Sequence, residues 1–222
     1  MSKKQTSNEP IILDEALGKS EAFILKYKNQ ILASVAVIVI AIIGSVYYSS
    51  YAEERETEAA EAIFQAEALF AANRYEEALN GDSVTILGFV QVADEYSGTK
   101  VANLAKAYAG FSLAKLNRYE EAIPYLKDFD GNDQMVAASV LRTLGNCYAN
   151  TGDNNKAIKY LLEAAEVAES NSISPNCLFH AGRMYEVQGD KAKALELYNQ
   201  IKSEYPTSYE AMDIEKYIEH VK

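Results

Sequence analysis

Three stretches of this chain repeat one pattern of small and apolar residues. GFSLAKLNRYEEAIPYL from Gly110, GNCYANTGDNNKAIKYL from Gly145 and GRMYEVQGDKAKALELY from Gly182 each place an alanine twelve residues after the glycine, at Ala122, Ala157 and Ala194. The spacing between successive copies is 35 and then 37 residues. A period of that size marks one supersecondary unit stacked on copies of itself, because a single copy cannot bury its own apolar face. Glycine at one point and alanine at another imply two helices approaching too closely for larger side chains. Leu113, Tyr148 and Tyr185, with Leu126, Leu161 and Tyr198, fill the space between them. Leu116-Asn117-Arg118, Thr151-Gly152-Asp153 and Gln188-Gly189-Asp190 supply the turns. Pro206 stops the helix that precedes it.

Three such segments in register resemble the tetratricopeptide repeat family, over roughly residues 56–217. The resemblance implies an all-α helix–turn–helix solenoid with a unit of about 34 residues. It places repeats at about 101–135, 138–171 and 175–208, with a capping helix over 209–221. A degenerate unit comes first, at about 56–100. There AIFQAEALFAANRYEEAL carries the first helix and turn, with Ala66 where the glycine stands elsewhere and Ala78 in the second helix. The step from Ala78 to Ala122 is 44 residues, and the surplus lies around Asn80-Gly81-Asp82-Ser83. These residues are expected to break the second helix before Thr85 to Tyr96 resumes it. Arrays commonly need an atypical terminal unit of this kind.

Ahead of the repeats, Ile31 to Tyr48 reads ILASVAVIVIAIIGSVYY, and no charged residue occurs from 29 to 52. Eighteen helical residues span roughly 27 Å, close to the thickness of a hydrocarbon core. In lipid the backbone has no outside partners, so a β-branched run is driven into helix. Tyr47, Tyr48 and Tyr51 sit where an interfacial aromatic belt belongs. The chain is thus expected to consist of a segment 1–29, an anchor 30–51 and a repeat domain 52–222. Lys19, Lys26 and Lys28 precede the span, and only Arg55 follows it closely, among Glu53, Glu54, Glu56 and Glu58. By the positive-inside rule the N-terminal segment stays in the cytoplasm and the repeat domain lies across the membrane. Ser50-Tyr51-Ala52 offers a small-x-small pattern for cleavage as a signal peptide. The leader before the apolar run, about thirty residues long, and the length of the run itself favour an uncleaved anchor.

Charge narrows the function. The chain carries −11, and the first 29 residues hold five lysines against four acids, so the repeat domain is the acidic part. A phosphate backbone would be repelled and no basic stripe exists to hold one, which excludes nucleic acid as a partner. Cys147 and Cys177 are too few for a structural zinc site, and His180 and His220 have no ligand neighbours in sequence. Glu76-Glu77 and Glu120-Glu121 recur in the first turn of a helix, where the dipole favours them, and are not an acid–base pair. No catalytic, cofactor-binding or metal-binding residue is nominated, and no cofactor is expected.

The remaining candidate is the groove formed by the first helices of the repeats. Counted from the glycines, Arg142, Asn146, Asn150, Asn176 and Arg183 face it in the last two repeats, and Leu104, Ala107, Phe111 and Ala114 face it in the repeat before. Amides and a guanidinium can hold a peptide backbone or a carboxylate through parallel hydrogen bonds, and the apolar patch suits a peptide's apolar side chains. Protein or peptide partners are therefore expected, or else the face is merely solvated. The two cysteines fall on first helices of neighbouring repeats, where they are either buried free thiols or, in an oxidising compartment, a disulfide. In layout the chain is similar to bacterial single-pass repeat proteins such as the ancillary subunit of the Sec translocon. That likeness implies a periplasmic scaffold on the inner membrane that receives exported proteins. An adaptor in a division, cell-wall or outer-membrane assembly complex is the alternative.

Overall fold

A computed structural model describes residues 9–82, 85–131 and 133–222, with side chains from Leu25 onward. Among the described residues every regular element is helical. The chain divides into two compact units, Met1–Glu53 and Glu54–Lys222. The segment read as 1–29 lies partly outside the described residues, as does Ser83 of the expected helix break.

Helix α1 runs Glu9–Ala71. Within the first unit its stretch from Leu32 to Tyr51 leaves Val35, Ile38, Ile40, Ile42, Ile43, Val46, Tyr47 and Tyr48 exposed. This stretch is long and apolar enough to cross a membrane. Ser34 returns its hydroxyl to the Gln30 carbonyl at 2.9 Å, so the main polar side chain of the run is satisfied by its own helix.

In the second unit, residues 54–71 of α1 bury Ala59, Ile63, Ala66 and Leu69, a stripe at the three- and four-residue spacing of one helix face. Helix α2 (Tyr75–Asn80) and α3 (Phe89–Glu95) follow, then three helix pairs. These are α4 (Lys100–Lys115) with α5 (Tyr119–Lys127), α6 (Gln134–Asn150) with α7 (Asn154–Ala168), and α8 (Ile173–Gln188) with α9 (Lys191–Glu204). A 3-10 turn at Glu210–Met212 and α10 (Ile214–Val221) complete the unit. The second helix of the first unit does not resume at Thr85, as the sequence suggests. The amides of Thr85 and Ile86 donate instead to the Asp82 carboxylate at 2.6 and 2.8 Å. Gly81, at φ 70°, closes the loop against Ile86, and helix starts only after Gly88.

Four turns share one geometry. Asn73, Asn117, Gly152 and Gly189 are the left-handed residues, with φ of 60°, 60°, 87° and 81°. The next amide, from Arg74, Arg118, Asp153 or Asp190, reaches back to Leu69, Leu113, Tyr148 or Tyr185, at 2.9 Å in every case. This is the bond that closes a Schellman end, and glycine or asparagine is what the left-handed position tolerates. The following helix is then capped in two ways. Asp153 and Asp190 accept the amides of Lys156 and Lys193 at 3.1 and 3.2 Å and pair with the same lysines' ammonium groups. Arg74 and Arg118 invert the polarity and fork onto Glu77 and Glu121.

The repeat glycines mark the tightest crossings. A Cβ at Gly110 would meet Leu126 Cγ at 2.5 Å, one at Gly145 would meet Leu161 Cγ at 2.7 Å, and one at Gly182 would meet Tyr198 Cε1 at 2.5 Å. Ala122, Ala157 and Ala194 are completely buried. The core falls into two clusters. One runs from Ile63 to Ala157; the other gathers Ala138, Ala164, Ala165 and Ala168 with Ile173, Leu178, Tyr198, Ile201, Ile214 and Ile218.

Candidate functional site

Helices α4, α6 and α8 present one face of each to a common cleft of about 800 Å3, a size in the range of ligand-binding clefts. At one end stand Phe70, Tyr108, Phe111 and Tyr119. Tyr108 stacks on Phe89 at 4.9 Å and meets Phe70 and Phe111 edge-on at 5.3 and 6.1 Å, so the rings support one another and form a fixed apolar wall. Burial is the main reason the Tyr108 phenol titrates above its ordinary range, with the Glu67 carboxylate adding to it. At the other end stand Arg142, Thr143, Asn146, Asn150, Asn176 and His180, with Met184.

Of the residues nominated from sequence, Phe111, Arg142, Asn146, Asn150 and Asn176 line this cleft, together with Ala114. Two do not. Leu104 lies one turn too early on α4 and borders a separate hollow beside the α5–α6 loop, with Phe129 and Val136. Arg183 turns to the C-terminal helix, where its guanidinium sits 5.7 Å from the Tyr217 ring centre and 3.8 Å from Glu186. A repeat register assumes another repeat at the next position, and α10 packs there instead.

Sequence reasoning missed Phe70, Tyr108, Tyr119, His180 and Met184. One signal was available: Tyr108, Thr143 and His180 each stand two residues before the repeat glycine, and all three face the cleft. That position belongs to the same helix face as the nominated ones.

The cleft differs electrically from the acidic body around it. Its lining carries two formal charges, both positive, Lys115 and Arg142. Arg142 is half-buried; no hydrogen bond or ion pair joins it to a described residue. Asn150 donates to the Asn146 carbonyl at 2.9 Å, and Asn176 donates to the Glu210 carboxylate at 2.9 Å. Burial lowers the His180 pKa; Glu210 opposes that effect, while Arg142 and Arg183 reinforce it. The imidazole is thus held neutral and can donate and accept at once.

Cys147 and Cys177 are buried free thiols in different core clusters. Burial pushes the first up to about 11 and the second to about 12, which keeps both as unreactive thiols near neutral pH. Among the described residues, no three His, Cys, Asp or Glu side chains gather as metal ligands would.

Residues 136–201, which span α6 to most of α9, match the sequence model of the tetratricopeptide repeat. Within those residues the helix pairs are of the tetratricopeptide type. The pair α4–α5 lies outside the matched residues and carries the same glycine–alanine register. A TPR repeat-containing protein of Methanocaldococcus jannaschii is 31% identical over 100 residues, which make up 45% of this chain and 17% of that protein. The chain therefore spans a small part of that relative. Tetratricopeptide repeats generally mediate protein–protein interaction.

Proposed function

We propose that this chain is a membrane-anchored scaffold whose tetratricopeptide cleft holds peptide segments of other proteins on the extracytoplasmic side of a bacterial inner membrane. The observation that carries the reading is the make-up of the cleft. An aromatic wall takes an apolar side chain, and amides with a guanidinium that has no partner among the described residues hold the adjoining polar group. Anchoring is supported by the exposed apolar stretch of α1. Orientation is supported by the lysines before that stretch and the glutamates after it. With this topology the domain meets proteins as they emerge across the membrane, and assistance at the Sec translocon is the role we favour.

Two experiments test it. Protease added to spheroplasts is expected to degrade the domain after Glu53 and spare the N-terminal segment; protection of the domain reverses the topology. A photocrosslinking amino acid at position 111 is expected to capture translocon subunits or exported chains. Capture of cell-wall or outer-membrane assembly proteins instead makes the chain an adaptor of that machinery.

A further inference from the structure

Beside the polar end of the cleft, a carboxylate of the same chain is bonded to one of its amides. Glu210, on the 3-10 turn, is half-buried and accepts the Asn176 amide at 2.9 Å. Ser208, itself buried, pins the turn by accepting the Ala211 amide at 3.2 Å. A smaller hollow bordered by Glu210, Phe179 and Tyr217 shares Asn176 and His180 with the cleft, so Glu210 stands at their junction. Either side of it, Tyr209 and Met212 are largely exposed, at 82% and 75%. Few apolar contacts therefore hold the turn itself in place.

We propose that Glu210 is a built-in competitor at the peptide cleft, and that the partner segment carries an aspartate or glutamate beside its apolar anchor. This rests on reading the cleft as a peptide site. Three features argue for it. Arg142 has no partner among the described residues, and a half-buried guanidinium without one is a ready acceptor site for an anion. The charged residues among the described lining of the cleft, Lys115 and Arg142, are positive, while the chain as a whole carries −11, so complementarity favours an acidic segment here and repels one elsewhere. Asn176 is the donor that such a segment would use next, and Glu210 occupies it. An incoming carboxylate exchanges one charge-assisted bond for another at Asn176 and gains the bond to Arg142. Binding then frees the turn that carries Glu210, with Tyr209 and Met212 on it.

The test uses the full chain in lipid nanodiscs and a random peptide library displayed on phage. Selected peptides are expected to be rich in Asp and Glu next to an apolar residue. Glu210→Ala is expected to bind them roughly tenfold more tightly, the scale of one hydrogen bond to a charged group. Arg142→Gln is expected to lose the acidic preference. Glu210→Gln keeps the side-chain volume and drops the charge, and it carries the comparison if the alanine variant melts early. The His180 ring protons supply a second readout. Removing Glu210 is expected to lower the His180 pKa, and adding a selected peptide to raise it again. If Arg142→Gln weakens binding while neither Glu210 variant strengthens it, the competitor is overturned and the peptide cleft stands. If no peptide is selected, or Arg142→Gln leaves selection unchanged, the cleft reading falls and the competitor with it.

Discussion

A Cβ placed on Gly182 would lie 2.5 Å from Cε1 of Tyr198. The ring cannot step aside. Tyr198 is completely buried, and its hydroxyl donates to the Glu186 carboxylate. Alanine in mid-helix gains about 1 kcal/mol over glycine, whereas overpacking a closed core costs about 1–3 kcal/mol. Gly182→Ala is therefore expected to destabilise the domain, read as a lower urea midpoint with an unchanged slope. A midpoint equal to or above that of the parent would mean that the crossing is looser than this distance implies.

Ala157 and Ala192 give a paired test of packing. Ala157 is completely buried at the helix crossing and Ala192 is exposed. Ala157→Leu is expected to cost about 1–3 kcal/mol and Ala192→Leu less than about 0.5 kcal/mol. Thermal melts showing equal effects at the two positions would contradict the repeat register.

The thiols are expected to resist modification in the native state. Burial holds Cys147 and Cys177 near 11 and 12, so at pH 8 little thiolate forms and the reagent has no path to it. Iodoacetamide under non-reducing conditions is expected to label neither site until urea is added, and both after that. A linked peptide pair in the mass spectrum would contradict the free thiols.

His180 ties stability to pH. Its folded pKa lies below the ordinary value of about 6.5, so as pH falls the unfolded chain takes up a proton before the native one does. Its contribution is complete above about pH 6.5 and is lost as pH drops toward the folded pKa. Stability is expected to decline as pH falls below about 6.5, and His180→Gln to flatten that decline. An equally steep decline in the variant would assign the effect to other groups.

The all-α repeat fold was legible because its constraints are local. Gly110, Gly145 and Gly182 each face a side chain sixteen residues later, and the turn residues at 117, 152 and 189 announce a left-handed backbone by their type. The first unit was harder, since Ala66 stands where a glycine would mark the crossing and a side-chain turn at Asp82 delays α3. In the cleft, helical periodicity found Phe111, Arg142, Asn146 and Asn150. It misplaced Leu104 and Arg183, because a register describes one helix and says nothing about the loop or terminal helix that packs against it, and Ala107 packs into the core instead. Phe70 and Glu210 were out of reach for the same reason: both come from outside the three repeats.

The second core cluster has unequal sides. Helices α6 and α7 bring four buried alanines, and α8 to α10 bring Ile173, Leu178, Tyr198, Ile201, Ile214 and Ile218. Leu141, Leu162 and Val167 flank those alanines, so the larger buried side chains stand mostly on the α8 to α10 side. A shorter array cut after α7 would lay bare those alanines with Leu141, Leu162 and Val167, while the piece removed would expose the larger aromatic and branched side chains.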